Sequence, residues 1–146
     1  MKKQDYKLEI YKLLDLELDD SSLDTKIQFV KKVLIDYQKD HEDQYDVANK
    51  GKPWTDEQLK IILSDAPTKE NCAKYAVLFK RGYGSIEQIY RWAATPINSL
   101  EGKGRSNDSF VLQIKKEAGV AEEKRVSGGT DKKRGWLHDR KKEGGV

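Results

Sequence analysis

Between Pro53 and Pro96 the chain carries three helix-start signals and two proline stops, a density of punctuation that leaves room only for short helices packed closely together. Thr55-Asp56-Glu57-Gln58 has the pattern of a capping box, in which the Thr hydroxyl and the Gln side chain satisfy N–H groups at a helix start. Leu59, Ile62, Leu63 and Ala66 follow at i, i+3, i+4 and i+7, one apolar stripe of a helix. Pro67 ends that helix and Thr68 caps the next, whose apolar positions are Cys72, Tyr75, Ala76 and Phe79. Lys80-Arg81-Gly82-Tyr83-Gly84 reads as the following turn, with Gly82 and Gly84 supplying conformations a branched residue resists. Ser85-Ile86-Glu87-Gln88 reads as a second capping box, opening a helix over 85–95 that turns Ile86, Ile89, Tyr90 and Ala93 inward until Pro96 stops it. The expected fold class is all-α, with a three-helix domain at 53–95.

The flanks are less constrained. Tyr11, Leu14 and Leu18 form a stripe near the start of the chain. A second helix is expected from about Ser21, with Asp24 in its first turn and a seam of Leu23, Ile27, Val30, Leu34 and Tyr37. Residues 1–40 therefore read as a helical hairpin for dimerisation or partner binding. Residues 41–52 lose the periodicity and read as a connector. Residues 96–123 read as a linker and one short helix built on Phe110, Ile114 and Ala118, ending at Gly119. Residues 124–146 read as a basic tail, with eight Lys/Arg against three Asp/Glu.

Three short helices with a tight second turn form the arrangement by which a helix-turn-helix lays its last helix in the DNA major groove. Pro53-Trp54-Thr55-Asp56-Glu57-Gln58-Leu59 resembles the opening of Myb/SANT-like domains, where a tryptophan just before the first helix packs into the core. Tyr75, Ala76 and Phe79, followed by Arg81-Gly82-Tyr83-Gly84-Ser85-Ile86, are similar to the second helix and turn of bacterial relatives of that family, and Tyr90 falls where a late core tryptophan usually stands. The resemblance covers 53–95 only. It implies a homeodomain-like fold, double-stranded DNA as partner, and helix 85–95 as the reading element.

With the apolar residues inward, Gly84, Glu87, Gln88, Arg91 and Thr95 face outward. Gln88 suits adenine N6/N7, Arg91 suits guanine O6/N7, and Glu87 can accept from cytosine N4, each good pair being worth about 1–3 kcal/mol of discrimination. Lys69, Lys74, Lys80, Arg81, Tyr83, Ser85 and Arg105 are expected at the DNA backbone, joined by Lys132, Lys133 and Arg134 of the tail. Trp54 is expected in the core and Cys72 as a small buried hydrophobe, while Trp92 is divided between core packing and backbone contact.

Charge is consistent with this but does not decide it: residues 1–50 hold nine Lys/Arg and twelve Asp/Glu, whereas 51–146 hold 19 and 13. The lone Cys72 excludes an intrachain disulfide, and His41 and His138 have no metal-ligand spacing around them. There is no P-loop, GxSxG or dinucleotide fingerprint, so no enzyme activity, cofactor or metal is expected. A polar start and the absence of a long apolar run lead to an expectation of a cytoplasmic, nucleoid-associated or phage-encoded protein without a membrane segment. Two rivals stand beside the DNA reading. One is a SANT-type protein-interaction module, which wants an acidic third helix, whereas Glu87 is the only acid between Glu70 and Glu101. The other is an inhibitor acting through the N-terminal hairpin.

Overall fold

Apolar residues recurring every three or four positions, separated by Asp-, Gly- and Pro-containing breaks, give an all-α chain. A computed structural model describes residues 1–127, with side chains through Ala121, and contains seven α-helices and no strand among them. The chain divides into two units, residues 1–40 and the remainder from His41.

The first unit is a pair of helices, α1 (Lys3–Asp15) and α2 (Leu23–Asp40). Asp19, in a left-handed conformation at φ 48°, turns the chain between them, and Lys26 Nζ donates to the Leu14 carbonyl at 2.7 Å. Ser22 Oγ accepts from Thr25 N, capping α2. Of the expected seam, Ile27 and Val30 are half-buried while Leu23, Leu34 and Tyr37 are exposed. Neither helix buries a single residue, because two helices present only one mutual contact line.

The second unit contains α3 (Asp56–Leu63), α4 (Lys69–Phe79), α5 (Tyr83–Ala94), the one-turn α6 (Ile97–Leu100) and α7 (Ser109–Ser127). The expected Thr55–Gln58 capping box is formed in both directions, at 3.1 and 3.0 Å. Thr68 Oγ1 accepts from Asn71 N at 3.1 Å and caps α4. Its partner helix α5 packs on α4 and on α7, and α7 packs in turn on α3. The centre is Leu59, Ile62, Leu63, Ile86 and Ile89, with Tyr90 Oη reaching the Ile62 carbonyl at 2.8 Å.

Three expectations are corrected here. Residues 96–123 are not a linker with a short helix: α7 is 19 residues long, and Leu100, Val111, Ile114 and Ala118 are buried. Asp108 caps it, its Oδ1 accepting from Phe110 N and Val111 N at 3.0 and 3.1 Å. The core is therefore built from four helices, the last replacing water over α3 and α5. Residues 41–52 are not a free connector either. Asn49 binds the Phe79 and Lys80 carbonyls at the end of α4, at 3.0 and 3.1 Å. Finally, α5 starts at Tyr83, two residues before the expected capping box, because Tyr83 N is capped by Glu42 Oε1 at 2.9 Å. Ser85 lies within the first turn and its N–H donates to the Gly82 carbonyl.

Candidate nucleic-acid interface

The connection between α4 and α5 is three residues long. Lys80 takes the left-handed conformation (φ 57°, ψ 48°) and Arg81 N returns to the Ala76 carbonyl at 2.9 Å, closing the end of α4. Gly82 is extended and precedes the first turn of α5; a Cβ there would meet the Glu42 carboxylate at 3.0 Å. Glycine at 82 thus leaves room for the capping carboxylate, which an added Cβ would press upon. Gly84 is helical and faces open space, so it is not a turn residue.

Along α5, Tyr83, Ile86, Ile89, Tyr90, Ala93 and Ala94 are buried. Gly84, Glu87, Gln88 and Arg91 are exposed and Thr95 is half-buried, leaving one polar strip. On this strip Arg91 Nη2 and Glu87 Oε1 form an i,i+4 ion pair at 3.7 Å. Gln88 lies beside the pair. The C-terminal end of α5 is held by Lys115 Nζ, which donates to the Ala93 carbonyl at 3.0 Å. Between the start of α4 and α5 lies a recess of about 260 Å³ lined by Thr68, Lys69, Tyr83, Glu87 and Arg91, among others.

Two expected backbone contacts are corrected. Arg81 is 4% exposed. Its Nη1 donates to the Lys52 carbonyl, its Nη2 donates to the Pro53 carbonyl at 3.1 Å, and the guanidinium lies 3.9 Å from the Trp54 ring centroid. Burial lowers its pKa from the usual arginine value. The side chain is committed to the interior, where it fastens the entry of α3 to the turn. Tyr83 is likewise buried, at the first position of α5.

The other expected cations are at the surface. Lys74 pairs with Asp65 at 3.1 Å and lies over the Tyr75 ring, and the Asp65 carboxylate raises its pKa. Lys80 pairs with Asp46 at 3.3 Å, and Asp46 is lowered first by the Ala48 N–H and then by Lys80. Arg105 pairs with Asp108 at 2.9 Å, with its guanidinium 5.8 Å from the Trp92 ring. Lys69 is exposed and Ser85 half-buried. Lys132, Lys133 and Arg134 lie outside the described residues.

Residues 41–121 hold twelve Lys/Arg and eleven Asp/Glu, so the folded part of the second unit is close to neutral. The excess of base in the second half comes from 124–146, while Glu42 caps α5 and Asp46 pairs with Lys80 at the end of α4 instead of standing apart. Glu42 is the residue that sequence reasoning missed; no local pattern links it to a helix 41 positions later. Among the described residues no three His, Cys, Asp or Glu side chains are grouped to hold a metal ion, and no helix is long and apolar enough to cross a membrane.

Comparison with known proteins adds kinship. Residues 48–123 match the family described as Uncharacterised protein PM1205 C-terminal domain, a span that runs from the Asn49 contacts through α3–α6 and into α7. A protein of Pasteurella multocida (strain Pm70), described as Uncharacterized protein PM1205, is 53% identical over 116 residues, covering 78% of this chain and 91% of that one. No solved structure matches the chain. The chain belongs to the PM1205 family, and its helical core is that family's C-terminal domain.

Proposed function

We propose that the second unit is a double-stranded DNA-binding module that lays α5 in the major groove. The observation that carries this reading is the open strip of Gly84, Glu87, Gln88 and Arg91 on a 12-residue helix whose other sides are packed against α3, α4 and α7. A helix fixed on three sides and polar on the fourth is rigid enough to dock as one body, and Gln and Arg side chains suit base edges.

Supporting it is the recess beside the strip. The start of α4, with its orphan N–H groups and positive dipole end, borders the same recess as Lys69 and Arg91. A phosphate seated there would face Lys69 and Arg91 and would displace the Glu87 carboxylate, which lines the same recess and pairs with Arg91, while α5 lies in the adjoining groove. Backbone contact is assigned to Lys69, Ser85 and the surface cations Lys74, Lys80 and Arg105, each exchanging its carboxylate for a phosphate where it is now paired. Because the folded part is nearly neutral, the long-range attraction is assigned to 124–146.

A fluorescence-anisotropy titration of the full chain on random duplex DNA, run at 50 and 200 mM salt, tests this. Binding that weakens with salt, and that weakens again on Arg91→Ala, is the expected result. Absence of binding at 50 mM salt, or equal loss on every sequence when Arg91→Ala is carried through a binding-site selection, overturns the module or its base-reading role respectively. Binding to peptides instead of DNA would move the assignment to the protein-interaction class.

A further inference from the structure

Three helices of the second unit begin beside one recess. Its volume is about 620 Å³, within the roughly 300–1,000 Å³ usual for small-molecule sites. Asp56, the first residue of α3, Ser85, in the first turn of α5, and Ser109, the first residue of α7, all line it. The positive dipole ends of three helices therefore border the same space. Half-buried Trp54 and Phe110 add aromatic surface to the wall. The Lys52 and Pro53 carbonyls already accept from Arg81, and the Trp54 carbonyl accepts from Gln113 Nε2 at 3.0 Å. What is left unmatched in the wall is donors, not acceptors.

The unmatched charge is also positive. Arg81 lines the recess and is buried, yet no carboxylate pairs with it among the described residues, and its Nε has no hydrogen-bond partner. Lys52 has no carboxylate partner there either; its Nζ meets Asn49 Oδ1 at 3.3 Å. The carboxylates at the three helix starts are each held by another cation: Asp56 by Lys116 at 3.5 Å, Glu42 by Lys50 at 3.3 Å and Asp108 by Arg105 at 2.9 Å. Asp56 is the carboxylate in the wall itself, and Gln113 Nε2 donates to it at 2.8 Å. A buried guanidinium without a countercharge is costly, and a bound anion relieves that cost. Two unmatched cations call for a dianion. A phosphate monoester carries about −1.5 to −2 at neutral pH, whereas a carboxylate carries a single charge. The Ser85 and Ser109 hydroxyls make no hydrogen bond among the described residues, which leaves both able to donate to phosphate oxygens.

We infer that this recess binds a small phosphate monoester carried on a planar ring, such as a mononucleotide. Arg81 and Lys52 balance the phosphate, the Ser85 and Ser109 hydroxyls donate to it, and the ring packs on Trp54 and Phe110. The site is separate from the recess of Lys69 and Arg91, and the inference does not rest on the DNA reading. Ser85 takes part in both, so the test contains no DNA.

The experiment is a calorimetric titration of the full chain, in low salt near neutral pH, with adenosine 5′-monophosphate and with phenyl phosphate. One-to-one binding with a Kd below about 1 mM is expected for both. Adenosine, which lacks the phosphate, and inorganic phosphate, which lacks the ring, are expected to bind at least about tenfold more weakly. At about pH 5, where the phosphate has lost one charge, the affinity is expected to fall about threefold or more. Arg81 also fastens the entry of α3, so the variants are placed at Lys52→Gln and Ser109→Asp. The second puts an anion in the recess at a helix start, where the dipole favours it, and so leaves α7 intact. Each is expected to weaken binding about tenfold, with a helical circular-dichroism signal equal to that of the natural chain. In amide and indole N–H spectra the Trp54 indole signal is expected to move and that of Trp92 to stay. Binding of neither ring phosphate, equal binding of adenosine or of inorganic phosphate, no loss at the lower pH, unchanged affinity in both variants, or shifts confined to Trp92 and Trp136 overturns the inference.

Discussion

Glu42 Oε1 accepts the backbone N–H of Tyr83 at 2.9 Å, so α5 is capped by a carboxylate forty-one residues upstream in the chain. The same carboxylate pairs with Lys50 at 3.3 Å. The interaction satisfies one of the orphan donors at the helix start and places negative charge at the positive end of the dipole. Glu42→Ala is expected to destabilise the second unit by about 1 kcal/mol, the usual cost of a lost cap. Urea unfolding followed by tryptophan fluorescence measures it. A midpoint identical to that of the natural chain would show that the cap contributes nothing.

The glycines on either side of Tyr83 respond oppositely to alanine. At Gly82 the added methyl group meets the Glu42 carboxylate at 3.0–3.3 Å and moves the cap away. At Gly84 it meets nothing within 4 Å and sits inside a helix, where alanine is better than glycine by about 0.5–1 kcal/mol. Gly82→Ala is expected to lower the unfolding midpoint and Gly84→Ala to raise it; the reverse order would mean that the turn extends through Gly84.

What was readable in the sequence follows the range of the forces. Thr55–Gln58 and Thr68 were legible because caps act over three residues, and the inward positions of α5 were legible from their period. The start of α5 was misplaced because Ser85–Gln88 imitates a capping box while the real cap comes from Glu42. Arg81 reads as a phosphate ligand by its charge, yet the carbonyls of Lys52 and Pro53 and the Trp54 face hold it inside. The extent of α7 was hidden because Glu117 interrupts its apolar pattern although it is buried. Its carboxylate lies 3.8 Å from Lys60 of α3 and 4.0 Å from Lys116.

Arg81→Lys tests the interior role of that guanidinium. A lysine cannot donate to two carbonyls in a fixed fork or stack as a plane on Trp54. The expected loss is about 2 kcal/mol of stability, with the salt dependence of DNA binding unchanged for the fraction that remains folded. A variant as stable as the natural chain but with a shallower salt dependence would return Arg81 to the DNA backbone.

Acid sensitivity follows from Asp108 and Asp56. The Val111 N–H first and then Arg105 hold Asp108 below the usual carboxylate range, and the Gln113 amide leads in lowering Asp56. A carboxylate with a depressed folded pKa contributes stability that is fully present above the unfolded value, about 3.9, and is lost as pH falls through the folded one. The melting temperature is therefore expected to be flat from neutral pH down to about pH 5 and to fall below about pH 4. Asp108→Asn keeps the capping oxygen and removes the charge, and should reduce the steepness of that fall. An acid limb unchanged in the variant would remove Asp108 from the account.

The ion pair on the open face of α5 makes the proposed base contact conditional. Arg91 Nη2 lies 3.7 Å from Glu87 Oε1 with both side chains well exposed, so the pair is weak and exchanges readily with solvent. Under the DNA reading, guanine O6 and N7 replace the carboxylate at Arg91, and Glu87 must find a cytosine amino group or stand against the negative groove. Glu87→Gln removes that repulsion without changing the length of the side chain. Its expected effect is about a threefold to tenfold gain in affinity for random duplex DNA, with a smaller ratio between preferred and random sequence. Arg91→Ala acts in the other direction on affinity and also lowers the ratio. Anisotropy titrations of both variants on a selected and a random duplex measure the four constants. If the two Glu87→Gln constants equal those of the natural chain, the strip of α5 does not face DNA.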